Sequence, residues 1–113
     1  MHEMSLAEGI IQVLEAEASR QQFRKVKTIW LEIGTLAGVE VEALRFAFEV
    51  VQRYTLAADA KLEIIPLAAT AWCMPCGGVV IIQQRYDACP VCGSYQLQAS
   101  GGDEMRIKEL EVE

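Results

Sequence analysis

Apolar positions near the start of the chain recur at helical spacing. Leu6, Ile10, Val13, Leu14 and Ala18 form one stripe, with Glu15, Glu17 and Arg20 outside it. Ser5, with Glu8 one turn on, has the form of a capping box, so the pattern predicts a helix from Ser5 to about Gln21. The period then shortens to two. Ile29, Leu31 and Ile33 face one way and Thr28, Trp30 and Glu32 the other, which predicts a half-buried strand ended by Gly34. Gly38 marks the turn into a second helix, about Val41 to Tyr54, with Leu44, Phe48 and Val51 on its inner face. Lys61 to Leu67 reads as a second strand. In the last strand, Glu104 to Val112, Met105 and Ile107 share one parity and Leu110 and Val112 the other. That change predicts a β-bulge near Lys108-Glu109. Phe46, Phe48, Trp30 and Trp72 are expected in the core.

Composition narrows the class. With 113 residues, 52% of them hydrophobic, the chain can bury a modest core and is too apolar for disorder. A net charge of −6 opposes a phosphate backbone, so nucleic acid is not an expected partner. The longest apolar run, Ile64 to Trp72, is interrupted by Pro66 and Thr70 and falls short of a membrane span. The N-terminus lacks a basic segment followed by an apolar one, so no secretory signal is visible and a cytoplasmic location is expected.

All four cysteines lie in one stretch: Cys73-Met74-Pro75-Cys76-Gly77 and Cys89-Pro90-Val91-Cys92-Gly93. Two residues inside each pair let a tight turn aim both sulfurs at one point, and the glycine that follows can take positive φ. This is the spacing of a four-cysteine zinc ribbon. Iron in a rubredoxin-like site suits the same knuckles. Paired disulfides need an oxidising compartment, and a redox pair lacks a following helix to lower a thiol pKa. Val79–Ile82 reads as a strand leaving the first knuckle, Gln83–Tyr86 as its return, and Gly101-Gly102 as the exit hinge of the module.

The only histidine is His2. The Met1 α-amine, the His2 backbone nitrogen and imidazole Nδ1 can enclose one ion, and the Glu3 backbone nitrogen can complete a square plane. Such a set suits Ni(II) or Cu(II) and fits zinc poorly. A helix starting at Ser5 would leave this tripeptide free. The competing reading is an idle, solvated terminal histidine.

With Met1-His2-Glu3-Met4-Ser5-Leu6, Trp30-Leu31-Glu32-Ile33-Gly34, Leu44-Arg45-Phe46-Ala47-Phe48-Glu49 and the two cysteine pairs in order, the whole chain resembles the HypA/HybF nickel metallochaperones. The resemblance implies Ni(II) as transferred cargo at the N-terminus with His2 essential, and structural Zn(II) on Cys73, Cys76, Cys89 and Cys92. It also implies work with a HypB-type GTPase toward the NiFe-hydrogenase large subunit, and in some organisms in urease maturation. It implies an auxiliary role for Glu40, which falls where some members carry an acidic residue close to the nickel site, although many members open the second helix with Asp-Pro where this chain has Glu40-Val41.

The expected architecture is α+β: a small mixed sheet with two helices, plus an inserted four-cysteine zinc-ribbon module. Residues 1–68, completed by the strand 103–113, would form a nickel-binding domain, and residues 69–102 the ribbon. The expected activity is carriage of nickel by a monomer or homodimer, with no catalysis, since no second histidine, triad or phosphate loop is present. The alternative is a zinc-ribbon interaction module of transcription or RNA machinery. It predicts a basic ribbon, yet Arg85 is the only basic residue between Cys73 and Cys92.

Overall fold

The computed structural model describes residues 2–113. Elements follow in the order α1 (Glu3–Gln21), β1 (Val26–Gly34), α2 (Val41–Val51), β2 (Lys61–Leu67), β3 (Ala69–Cys73), β4 (Gly78–Ile82), β5 (Leu97–Gly101) and β6 (Met105–Val112). One sheet has the order β2-β1-β6, the other β4-β3-β5. Val26 N donates to Leu56 O and Thr35 N to Leu67 O, so β1 and β2 advance together in parallel. Lys25 and Glu113 exchange backbone bonds and Gly34 N donates to Glu104 O, so β6 is antiparallel to β1. The sheet is therefore mixed, as the α+β expectation requires.

The chain divides into two compact units. The first comprises Met1–Leu31, Val39–Glu63 and Ile107–Glu113; the second comprises Glu32–Gly38 and Ile64–Arg106.

In the first unit, α1 and α2 pack on each other. Leu14, Ile29, Leu31, Leu44 and Phe48 are fully buried. The buried face of α1 is Glu3, Ala7, Ile10, Ile11 and Leu14, and Val13 is half exposed, so the stripe sits one position round from the expected one. The helix also begins earlier. His2 is its N-cap, without a side-chain cap bond, and Leu6 N donates to His2 O. Ser5 therefore lies inside the first turn and caps nothing. Helix α2 stops at Val51, short of Tyr54. Tyr54 takes a left-handed φ of 63°, and the Gln52 amide reaches the carbonyls of Ala57, Ala58 and Ala60, tying the following loop. Phe46 is 67% exposed and Trp30 half-buried, so neither is a core residue in the sense expected. In β6 the alternation of burial breaks at Lys108-Glu109, two consecutive exposed residues, where the parity change was read.

The second unit is held by few apolar side chains. Ala69, Ala71 and Ile82 are buried, with Leu36, Val80 and Leu97 packed against them. Parity explains Trp72: Ala69, Ala71 and Cys73 point inward, which turns Trp72 outward and leaves it 45% exposed. Gln83–Tyr86 is a turn and not a return strand, because the Asp87 carboxylate accepts from the amides of Gln83 and Gln84 and Tyr86 takes φ 70°. The other edge of β3 is filled instead by β5. Gly102, expected to be part of a hinge, is buried at φ 91°. A Cβ there would lie 2.5 Å from Ala69 Cα, so the glycine marks a tight crossing of main chains.

Candidate metal centres

Cys73 ends β3, and Cys76 follows in a turn closed by a Gly77 N to Cys73 O bond of 2.8 Å. Cys89 and Cys92 repeat the motif, with Gly93 N donating to Cys89 O at 2.8 Å. Gly77 and Gly93 take φ of 66° and 77°, the left-handed region that the turn needs. The two knuckles bring all four Sγ atoms within 4.8 Å of one another.

The spacing of the sulfurs separates a tetrahedral metal site from paired disulfides. Four sulfurs about 2.3 Å from a tetrahedral zinc lie about 3.8 Å apart. Cys73 and Cys92 Sγ are separated by 3.6 Å, and Cys76 and Cys89 Sγ by 3.9 Å. A disulfide needs about 2.05 Å, and all four cysteines are free. Cys73 and Cys89 are buried, Cys76 and Cys92 exposed. The Cys92 and Val91 amides aim at Cys89 Sγ from 3.5 and 3.4 Å. Led by the Cys92 amide, they pull that thiol down to about 6 against the effect of burial. The Cys92 and Cys73 sulfurs push Cys76 up to about 12. Four thiols so close resist ionising together, and a divalent cation removes that restraint. The donor set, its tetrahedral edges and the amides turned toward sulfur fit zinc.

At the amino terminus the structure places His2 exposed and Glu3 buried. His2 Nδ1 is 3.5 Å from Glu3 Oε2. The same oxygen accepts the backbone N–H of Glu40 at 3.2 Å. That donor holds the Glu3 carboxyl below its ordinary 4.5, with burial acting against it. Glu40 is the N-cap of α2, its own carboxylate accepting from Glu42 N at 3.4 Å. The Met1 amine lies outside the described residues. The expected free tripeptide is corrected by α1, which already contains Glu3. Sequence reasoning assigned Glu3 only a backbone nitrogen and missed its buried carboxylate. The available signal was its place on the stripe Glu3-Ala7-Ile10-Leu14, an acid at an inward position.

These features define a class first: a small α+β protein with a closed four-sulfur knuckle in one unit and, in the other, an exposed histidine beside a buried carboxylate. The family profile described as "Hydrogenase/urease nickel incorporation, metallochaperone, hypA" matches residues 1–112. The hydrogenase maturation factor HypA of Azotobacter chroococcum is 63% identical over 113 residues, covering 100% of both chains, and that of Azotobacter vinelandii 59% over the same span. The solution structure of the Ni metallochaperone HypA from Helicobacter pylori superposes with a TM-score of 0.70 at 28% identity, covering 99% of this chain and 97% of that one. The chain belongs to the HypA family of nickel metallochaperones, which serve hydrogenase maturation.

Proposed function

We propose that the chain carries Ni(II) at its extreme amino terminus, on the Met1 amine, the His2 amide and Nδ1, and the Glu3 amide. Zn(II) stays on Cys73, Cys76, Cys89 and Cys92. The chain delivers nickel in the cytoplasm to the NiFe-hydrogenase large subunit, together with a HypB-type GTPase, and in organisms with urease to that pathway as well. It performs no catalytic step. Residues 1–68 with 103–113 act as the nickel domain and residues 69–102 as the zinc ribbon.

The observation that carries the nickel reading is the exposed imidazole whose Nδ1 lies 3.5 Å from the Glu3 carboxylate. An anion held beside an open nitrogen donor favours a cation there. The start of α1 at Glu3 is compatible with the chelate. The first N–H groups of a helix have no intrahelical acceptor, so a metal taking the Glu3 amide breaks no helix bond. All these nitrogens must lose protons, so affinity falls as pH falls. The zinc reading is supported by the tetrahedral sulfur spacing.

The test is metal titration of untagged protein. His2→Ala should abolish nickel binding and leave zinc and fold intact. One extra residue before Met1 should do the same, because it displaces the amine. Wild-type nickel affinity in either variant would refute the site.

A further inference from the structure

Strand β4 lies at the rim of its sheet, and among the described residues no strand pairs with its outer edge. Its register with β3 runs unbroken from Cys73↔Gly78 to Ala69↔Ile82. The opposite rim, β5, is interrupted by a register shift between Thr70 and Ala71 and presents the polar Gln98 and Ser100. Proteins blunt open strand edges with bulges, lysines or prolines, because free N–H and C=O groups recruit further strands. The β5 edge has such a break. Gly78-Val79-Val80-Ile81-Ile82 has no bulge, no charge and no proline. On its outward face Val79 is 63% and Ile81 58% exposed, and Trp72, the register partner of Val79, is 45% exposed.

We propose that β4 is a docking edge that receives an extended, uncharged apolar segment of a partner protein as a fourth strand, with Val79, Ile81 and Trp72 covering its side chains. The inference rests on the delivery reading, since a carrier must dock on the protein it serves. The chemistry of the occupant follows from charge. Between Ile64 and Gly102 the only charged side chains are Arg85 and Asp87, in a chain with 10 basic and 16 acidic residues. A charged side chain laid on this face would lose water and find only Arg85, Asp87 and the zinc-bound thiolates of the same unit to answer it, which disfavours nucleic acid and strongly acidic or basic peptides. A second copy is disfavoured by size and charge. Five residues of strand are about 17 Å long and two strands about 10 Å wide, under roughly 200 Å². A stable dimer needs about 800 Å² from each partner, and each copy carries −6. Strand addition of this size, with backbone bonds giving the register, suits a transient contact.

The test uses the full-length zinc-loaded protein, with the nickel-free precursor of a NiFe-hydrogenase large subunit as probe. On adding the precursor, amide exchange across Gly78–Ile82 should slow by about tenfold or more, as outward N–H groups gain acceptors. The double variant Val79→Lys, Ile81→Lys alters only solvent-facing side chains. It should bind the precursor about tenfold or more weakly, because each ammonium must be buried or the strand refused. Its zinc content and nickel affinity should equal the wild type. The uncharged pair Val79→Thr, Ile81→Thr should dock almost as the wild type does. Unchanged binding by the lysine variant, or a complex in which β4 exchange does not slow, would overturn the docking edge. So would β4 amides already protected in a precursor-free sample that sediments as a dimer, which makes a second copy the occupant. Docking through β4 by a protein that binds no nickel at His2 supports the edge and removes the delivery reading. Nickel bound at His2 with docking indifferent to the lysines does the reverse.

Discussion

Gly34 ends β1 at the crossing with Gly102, and its replacement by alanine is a severe test of the packing. The new Cβ would stand 2.1 Å from the Gly102 carbonyl oxygen, 2.3 Å from its carbon and 2.9 Å from Asp103 N. Contacts of a real Cβ stay above about 3.0 Å, so the chains must part by roughly 1 Å. All three atoms are main chain, and no change of rotamer can relieve them. The movement falls on two bonds made at the crossing: Gly34 N to Glu104 O at 2.8 Å and Leu36 N to Gly102 O at 2.6 Å. Each is worth about 1 kcal/mol net, and overpacking adds about 1–3 kcal/mol. The expected loss is therefore about 3–5 kcal/mol. With a urea dependence of about 2 kcal/mol/M, the unfolding midpoint should fall by about 2 M. The assay is urea titration of the zinc-loaded protein, followed through the amide resonances of Glu32–Gly38 and Ile64–Arg106 for the crossing and through far-UV circular dichroism for the helices. Gly9→Ala is the control. Nothing lies within 4 Å of its Cβ, and it sits inside α1, so it should stabilise by about 1 kcal/mol. Equal midpoints for Gly34→Ala and the wild type would mean that the crossing is looser than these distances require and can admit a methyl group.

Two further outcomes are expected. The Glu3 carboxyl ionises below its ordinary 4.5 because the Glu40 amide donates to the anion. A depressed folded pKa gives stability that is complete above the unfolded value and lost as pH falls through the folded one. Glu3→Gln should therefore flatten the decline of stability below about pH 4.5. Urea midpoints across that range read it, and an unaltered slope would rule out the bond. Stripping zinc with a chelator should unfold the second unit, whose apolar cluster is small, Ala69, Ala71 and Ile82 with Leu36, Val80 and Leu97 packed against them. The helical signal of the first unit, with Leu14, Leu44 and Phe48 buried, should persist. Native amide dispersion for residues 69–102 in metal-free protein would show the metal to be dispensable for the fold.

What the sequence displayed depended on whether the cause was local. The cysteine knuckles are local chemistry, four ligands with glycines at fixed offsets, and the structure gathers all four sulfurs as the spacing demanded. The buried set Ile29, Leu31 and Ile33 of β1 was legible because period two is also local. Ser5 misled because S-x-x-E records a possible cap and says nothing about a carboxylate upstream. Glu3 lies inside the helix, and its carboxylate accepts from an amide 37 positions away. Strand β5 was invisible because Leu97 is its one large apolar residue, and its pairing with β3 is distant in sequence. Phe46 and Trp72 were placed inside by residue type alone. Parity and helix phase put both on the surface, where an aromatic ring is available to a partner.

The two metal readings place opposite demands on electrostatics. The starts of α1 and α2 meet where Glu3 Oε2 takes the Glu40 amide at 3.2 Å. Each helix end carries roughly half a positive charge, and such ends collect anions. On the nickel proposal a cation must be held there, so the combined field of roughly one positive charge has to be cancelled first. The Glu3 carboxylate does so at the meeting point, and the Glu40 carboxylate, turned onto Glu42 N, tips the balance negative. On the same proposal Glu3 is more than a backbone donor: its ionised side chain would let His2 face a divalent ion without opposition from two helices. The balance is modest and open to solvent, so a competing set of ligands can draw the ion away. The sulfur site has the reverse character, with four donors fixed by closed turns and no position left for exchange. On the nickel proposal, soft thiolates hold the metal that stays and borderline nitrogen donors the metal that leaves, within 113 residues.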